Sequence, residues 1–178
     1  PFRCVIDGTD EIMADTVIVA TGATARWLGL ESEKAYRGFG VSACATCDGA
    51  FFKGLDVAVI GGGDTALEEA CYLAKMCNKV YLVHRRDKFR ASQAMQDKAA
   101  KTPNIEFVMN SIPQEILGEK KGFVKRVTGL QLLNKETNEL NTIEIRGVFV
   151  AIGVTPVTDL FKGQLDLDEQ GYIITQGN

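Results

Sequence analysis

The sequence predicts an α/β fold: three layers around a mostly parallel sheet, with a small antiparallel meander attached. Three observations predict it. The runs in "LDVAVIGGG", "VYLVHRR" and "VFVAIG" are short, continuous and apolar, as strands covered on both faces should be. Segments with apolar residues at helical spacing stand between them. Residues 113–146 change character and alternate with turns, as a small meander would.

Taken in order, "FRCVID", the turn "GTD" and "EIMADTVIVATGA" predict a hairpin that feeds a buried strand over residues 16–20. Residues 23–40, "ATARWLGLESEKAYRGFG", lose periodicity and carry glycines, which reads as a connection between domains. After the loop "SACATCDG" and the first covered strand, "DTALEEACYLAKMCNK" sets Ala66, Leu67, Ala70, Leu73, Ala74 and Cys77 at helical spacing. "VYLVHRR" is the next strand and "ASQAMQDKAAK" a second helix, which Pro103 and Asn104 end before the strand "IEFVMN". "EILGE", "VKRVTGLQLLNKET" and "ELNTIEIRG" form the meander, with turns at Lys120-Lys121-Gly122 and Glu136-Thr137-Asn138. "VFVAIG" returns to the covered sheet, and the loop "VTPVTDLF" leads to a last strand, "GYIIT". This order describes a Rossmann-like, nucleotide-binding α/β domain over residues 26–152. Residues 1–25 and 153–178 are expected to belong to a second, discontinuous domain. The opening on Pro1 and the close on "GYIITQGN" suggest a piece of a longer polypeptide.

Composition narrows the classes. A hydrophobic share of 46% and a charged share of 24% fit a soluble globular protein, and a net charge of −3 argues against nucleic acid or an acidic membrane as partner. No apolar run is long enough for a membrane helix, and no secretory leader is visible; a cytoplasmic setting is expected. The five cysteines are Cys4, Cys44, Cys47, Cys71 and Cys77, an odd number that argues against a disulfide scaffold. The single histidine, His84, lies in a basic run, so zinc at Cys44-x-x-Cys47 would lack ligands and no metal is expected. A purely structural disulfide closing so short a loop would remove little unfolded-state entropy. A redox-active pair is the leading reading. A thiolate attacks disulfides, so a neighbouring base is useful, and Asp48 follows Cys47 directly. Asp48 also reads as a turn residue before Gly49. Cys4, Cys71 and Cys77 read as packing, and Trp27 and Tyr36 as covers for the connection.

Gly61-x-Gly63-x-x-Ala66 follows a strand and opens a helix. Gly61 allows a tight turn, Gly63 a close approach to a pyrophosphate, and Ala66 close helix–strand packing, while the helix N-terminus offers free N–H groups. Glycine turns also occur where nothing binds; the position between strand and helix favours the phosphate loop. About 20 residues on, where an NAD site usually carries an acid, the chain reads His84-Arg85-Arg86-Asp87-Lys88-Phe89-Arg90. Guanidinium forks bind a 2′-phosphate that a carboxylate would repel, so NADPH is preferred over NADH.

The stretches "VSACATCDG", "VAVIGGGDTALEEA", "VHRRDKFRAS", "GVFVAIGVTP" and "GQLDLDEQGYI" together resemble the low-molecular-weight NADPH-dependent thioredoxin reductases across essentially the whole chain. The resemblance implies a homodimeric flavoprotein of two dinucleotide-binding domains that passes electrons from NADPH through FAD to a disulfide and on to thioredoxin. It implies that Cys44 and Cys47 are the redox pair and Asp48 the acid of disulfide exchange. Gly61, Gly63, Asp64, Thr65 and Ala66 would lie along the NADPH pyrophosphate, with His84, Arg85, Arg86 and Arg90 around the 2′-phosphate. Thr21 and Gly22 would face FAD. The family's amino-terminal GxGxxG and its closing glycine-aspartate segment are not in this chain, so the chain alone is expected to bind NADPH without turnover. Nicotinamide and disulfide share one domain and must each meet the flavin of the other, which implies a domain rotation with hinges near residues 25 and 153. Two other readings compete: the flavoprotein subunit of alkyl hydroperoxide reductase, which the Ala-Thr spacer of "CATC" disfavours, and a non-enzymatic NADP-binding module with inert thiols.

Overall fold

Phe2–Ile6 (β1) and Asp10–Ala14 (β2) pair as the predicted antiparallel hairpin, Phe2 opposite Ala14 and Ile6 opposite Asp10. Its turn places Asp7 and Gly8 at positive φ, which a short polar residue and a glycine adopt at least cost. The structure, a computed structural model, describes residues 1–122 and 124–175. The chain divides into two units, Pro1–Thr24 with Thr155–Asn178, and Ala25–Val154.

In the smaller unit two expectations fail. Residues 16–20 form no strand, and Ile18 is 91% exposed. The apolar run signals a covered environment, but among the described residues no strand lies beside it to take its backbone bonds. "GYIIT" likewise reduces to one bridge, Leu167 opposite Ile173, with Tyr172 and Ile174 exposed; residues 176–178 of that closing stretch lie outside the described residues. Where the chain passes between the units, Ala23–Ala25 (β3) pairs with Val154–Pro156, the last strand.

The larger unit opens with an element where the lost periodicity of residues 23–40 predicts irregular connection. Glu31–Tyr36 (α1) is a short helix whose third residue, Glu33, turns back to accept hydrogen bonds from the Leu28 and Gly29 amides. A glutamate at this position commonly caps a helix start. Next come Val41–Ser42 (β4), Ala45–Asp48 (α2), Asp56–Gly61 (β5), Asp64–Leu73 (α3), Lys79–Val83 (β6), Gln93–Ala100 (α4) and Ile105–Val108 (β7). Ser111–Lys121 (β8), Val124–Asn134 (β9) and Leu140–Ile143 (β10) make the predicted antiparallel meander, before Gly147–Ala151 (β11) and the last strand (β12).

The main sheet is parallel throughout, in the order β4-β11-β5-β6-β7. Side chains alternate across it with period two. Val57 and Val59 face one cluster, with Leu67, Leu73 and Leu82, while Ala58 and Ile60 face another, with Ile116, Leu130 and Val148. One layer is therefore α3 and its neighbours, the middle layer is the sheet, and the meander covers the far side. This is a Rossmann-like arrangement. Each fully buried leucine contributes about 1.5–3 kcal/mol. Helix α3 ends at Leu73, short of the predicted run, because the Asn104 side-chain amide donates to the Ala74 and Cys77 carbonyls just beyond it.

Candidate functional site

The glycine loop leaves β5 where three surfaces meet. A Cβ on Gly61 would lie 2.3 Å from the Ala151 carbonyl oxygen and 2.6 Å from the Ala66 methyl. One on Gly62 would lie 2.2 Å from the His84 ring. Only glycine fits at either place. At Gly63, which caps α3, a Cβ would meet nothing within 4 Å, so this backbone faces open space. Thr65 is exposed beside it, and Ala66 is buried, closing α3 onto the strand.

The basic run is tied to this loop by its backbone. The Arg90 and Ala91 amides donate to the Gly62 carbonyl at 2.7 and 3.2 Å. Asp64 accepts from the Ser92 amide (2.9 Å) and hydroxyl (2.7 Å), and the hydroxyl bond foremost holds its carboxyl below the usual range. His84 is only 5% exposed and its Nε2–H donates to the Lys88 carbonyl at 3.1 Å. Burial, with the charges of Arg86 and Arg85 adding to it, depresses its pKa, so the ring is a neutral floor under the loop. Arg85, Arg86 and Arg90 are exposed. A cleft of about 580 Å³ is lined by Gly61–Gly63, Thr65, His84 and these three arginines, together with Trp27, Leu28 and Leu30. From sequence Trp27 reads only as a cover for the connection; no spacing rule connects it to a loop 34 residues away.

Cys44 and Cys47 form a disulfide, with Cα atoms 5.3 Å apart. Cys44 caps α2 and its Sγ accepts from the Cys47 amide at 3.2 Å. Cys44 is half-buried and Cys47 exposed. Asp48 is half-buried and its Oδ2 accepts from the Ser42 hydroxyl at 2.6 Å; the Cys44 amide donates to that same hydroxyl at 3.1 Å. Ser42 is thus a site residue that the motif did not reveal, since a serine two places before a cysteine carries no spacing signal of its own. Cys71 and Cys77 are buried and Cys4 half-buried, all three free; burial foremost pushes the Cys77 thiol up to about 11. Thr21 and Gly22 are exposed in the smaller unit, where the Gly22 carbonyl accepts from the Val157 amide at 3.0 Å. Among the described residues, no helix is long and apolar enough to cross a membrane.

The chain is similar to known proteins. The thioredoxin reductase of Rickettsia prowazekii (strain Madrid E) is 49% identical over 176 residues, 99% of this chain and 56% of that protein. That of Streptomyces coelicolor is 53% identical over 160 residues, 90% of this chain and 48% of that protein. The crystal structure of Lactococcus lactis thioredoxin reductase (FR conformation) superposes with a TM-score of 0.85 at 38% identity, covering 98% of this chain and 56% of that one. The chain spans about half the length of the curated relatives it matches. The family described as pyridine nucleotide-disulphide oxidoreductase matches residues 3–178, and with the glycine loop and the Cys44–Cys47 disulfide in place the chain belongs to that family.

Proposed function

We propose that the chain is the nucleotide- and disulfide-bearing part of an NADPH-dependent thioredoxin reductase, a cytoplasmic homodimer acting on thioredoxin. The observation that carries the reading is that one unit holds both the Cys44–Cys47 disulfide and the arginine-rimmed glycine cleft. On this reading the NADPH- and disulfide-bearing domain is residues 26–152, and 1–25 with 153–178 are parts of the flavin-binding domain.

The residues present fit NADPH. Gly63 leaves room for a pyrophosphate against bare backbone at the start of α3, and Arg85, Arg86 and Arg90 line the same cleft, which supports them as the groups that take the 2′-phosphate. They do not by themselves fit FAD. Thr21 and Gly22 are exposed and available, but among the described residues the smaller unit has no second strand–glycine loop–helix. The chain alone therefore binds NADPH without turnover.

At the disulfide the chemistry is that of the chain's own residues. Reduction adds two electrons and two protons and leaves two thiols. One thiol loses its proton, with Asp48, held by Ser42, as the acceptor in this reading. The thiolate attacks the partner's disulfide, the second thiol resolves the mixed disulfide, and Cys44–Cys47 is restored as the partner leaves as a dithiol. Cys47 is the more exposed residue of the pair, and on this reading it is the one a partner reaches first.

Alkylation mapped by mass spectrometry tests this against an inert binding module. Mild dithiothreitol should expose Cys44 and Cys47 and no other pair, while Cys77, with its thiol pushed up to about 11 and buried, stays unlabelled at neutral pH. A Cys44–Cys47 bond that dithiothreitol cannot open would refute the redox assignment.

A further inference from the structure

The cleft runs across the carboxyl ends of β6, β5 and β11, in that sheet order. Arg85 and Arg86 follow β6 at one end, and the glycine loop follows β5 in the middle. At the other end, after β11, the Gly153 carbonyl accepts from the Arg26 amide at 2.9 Å, and Trp27 stands next in the chain. A dinucleotide with its 2′-phosphate at the arginines and its pyrophosphate at Gly63 therefore points its nicotinamide half toward Trp27. This ordering rests on the reading of the cleft as a nicotinamide dinucleotide site.

The segment carrying Trp27 is held by an unusual group for a connection: a carboxylate with no exposed surface. Glu33 is 0% exposed, and buried charges persist only when paired and hydrogen-bonded. One oxygen accepts from the Leu28 amide at 2.8 Å; the other accepts from the Gly29 amide at 3.0 Å and the Arg37 guanidinium at 3.2 Å. That guanidinium lies 3.8 Å over the Trp27 ring. The helix behind is fixed in turn: the Ile116 amide donates to the Ser32 hydroxyl at 3.0 Å, and Gly118 is bare because the Tyr36 ring fills the space of its Cβ. The chain of support runs from β8 through α1 to the indole. Nothing in the redox chemistry uses it.

We propose that Trp27 forms the nicotinamide-side wall of the dinucleotide cleft and that Glu33 is the positioning residue that holds it there. Trp27 is the only tryptophan, so its emission reports the wall directly. The probes are NADP⁺, which does not absorb in the emission band, and adenosine 2′,5′-bisphosphate, which has the arginine-bound half and no nicotinamide. In the unaltered chain NADP⁺ should quench Trp27 and the bisphosphate should not. By calorimetry, Glu33→Gln and Trp27→Ala should each weaken NADP⁺ about tenfold, the size of one lost contact, and leave the bisphosphate unchanged. A general loss of structure would weaken both ligands alike, and Trp27→Ala with the fluorescence titration keeps the test intact if Glu33→Gln folds poorly. Bound NADP⁺ with unaltered emission, or an equal loss for both ligands, would overturn the proposal. If the bisphosphate binds equally well after Arg85→Ala with Arg86→Ala, the nucleotide reading itself fails, and this inference with it.

Discussion

His84 shows how one residue serves packing and pH response together. Its ring occupies the space beside Gly62 and lies 5.3 Å from the Phe89 ring. Burial lowers its pKa from the ordinary 6.5, so the unfolded chain takes up a proton before the folded one does. The stability that this contributes is complete above pH 6.5 and falls as the pH drops below it. Thermal melts at pH 7 and pH 5.5 should show a larger fall for the unaltered chain than for His84→Asn, which lacks the titrating ring. An equal fall in both would mean that the ring does not resist protonation. His84 stands beside the arginines in the sequence, which could not show that it faces inward, because burial there depends on Gly62 in the loop after β5.

The strands most legible in the sequence are those whose neighbours the chain itself supplies. β5, β6 and β11 read as covered runs and are covered, since α3 and the meander close over them. The same reasoning failed at residues 16–20 and in "GYIIT", where apolar pattern is present but, among the described residues, no strand forms. Helix α1 failed in the other direction: its support is tertiary, from Glu33 reaching back and Ser32 reaching across to β8, and neither leaves periodicity in the sequence. The glycine loop allows a sharper test of how an element divides its duties. Gly62→Ala drives a methyl into the His84 ring and should cost about 1–3 kcal/mol of stability, as overpacking does. Gly63→Ala adds a methyl to open space at an ordinary φ of −96°, so it should melt nearly as the unaltered chain does yet bind NADPH more weakly. Comparing melting with calorimetry for the two variants separates fold from ligand. A Gly63→Ala chain of full affinity would remove the pyrophosphate from that position.

At the scale of the whole molecule, one unit of two holds both the Cys44–Cys47 disulfide and the glycine-loop cleft, and the chain spans about half the length of the curated relatives it matches. The Cys44-x-x-Cys47 motif, the glycine loop and the arginines were all legible because each is local in sequence. Ser42 and Trp27 were not, because their places in the site follow from the fold. The central claim is that this cleft takes NADPH and that the arginines select it. The most direct measurement is calorimetric titration of NADPH and NADH into the unaltered chain and into Arg85→Ala with Arg86→Ala. Hydrogen bonds to charged groups contribute about 1.5–3 kcal/mol each, so NADPH should bind at least about tenfold tighter than NADH, and the double variant should lose that difference while NADH affinity stays the same. Equal affinity of the unaltered chain for both nucleotides, or equal weakening of both in the variant, would contradict it.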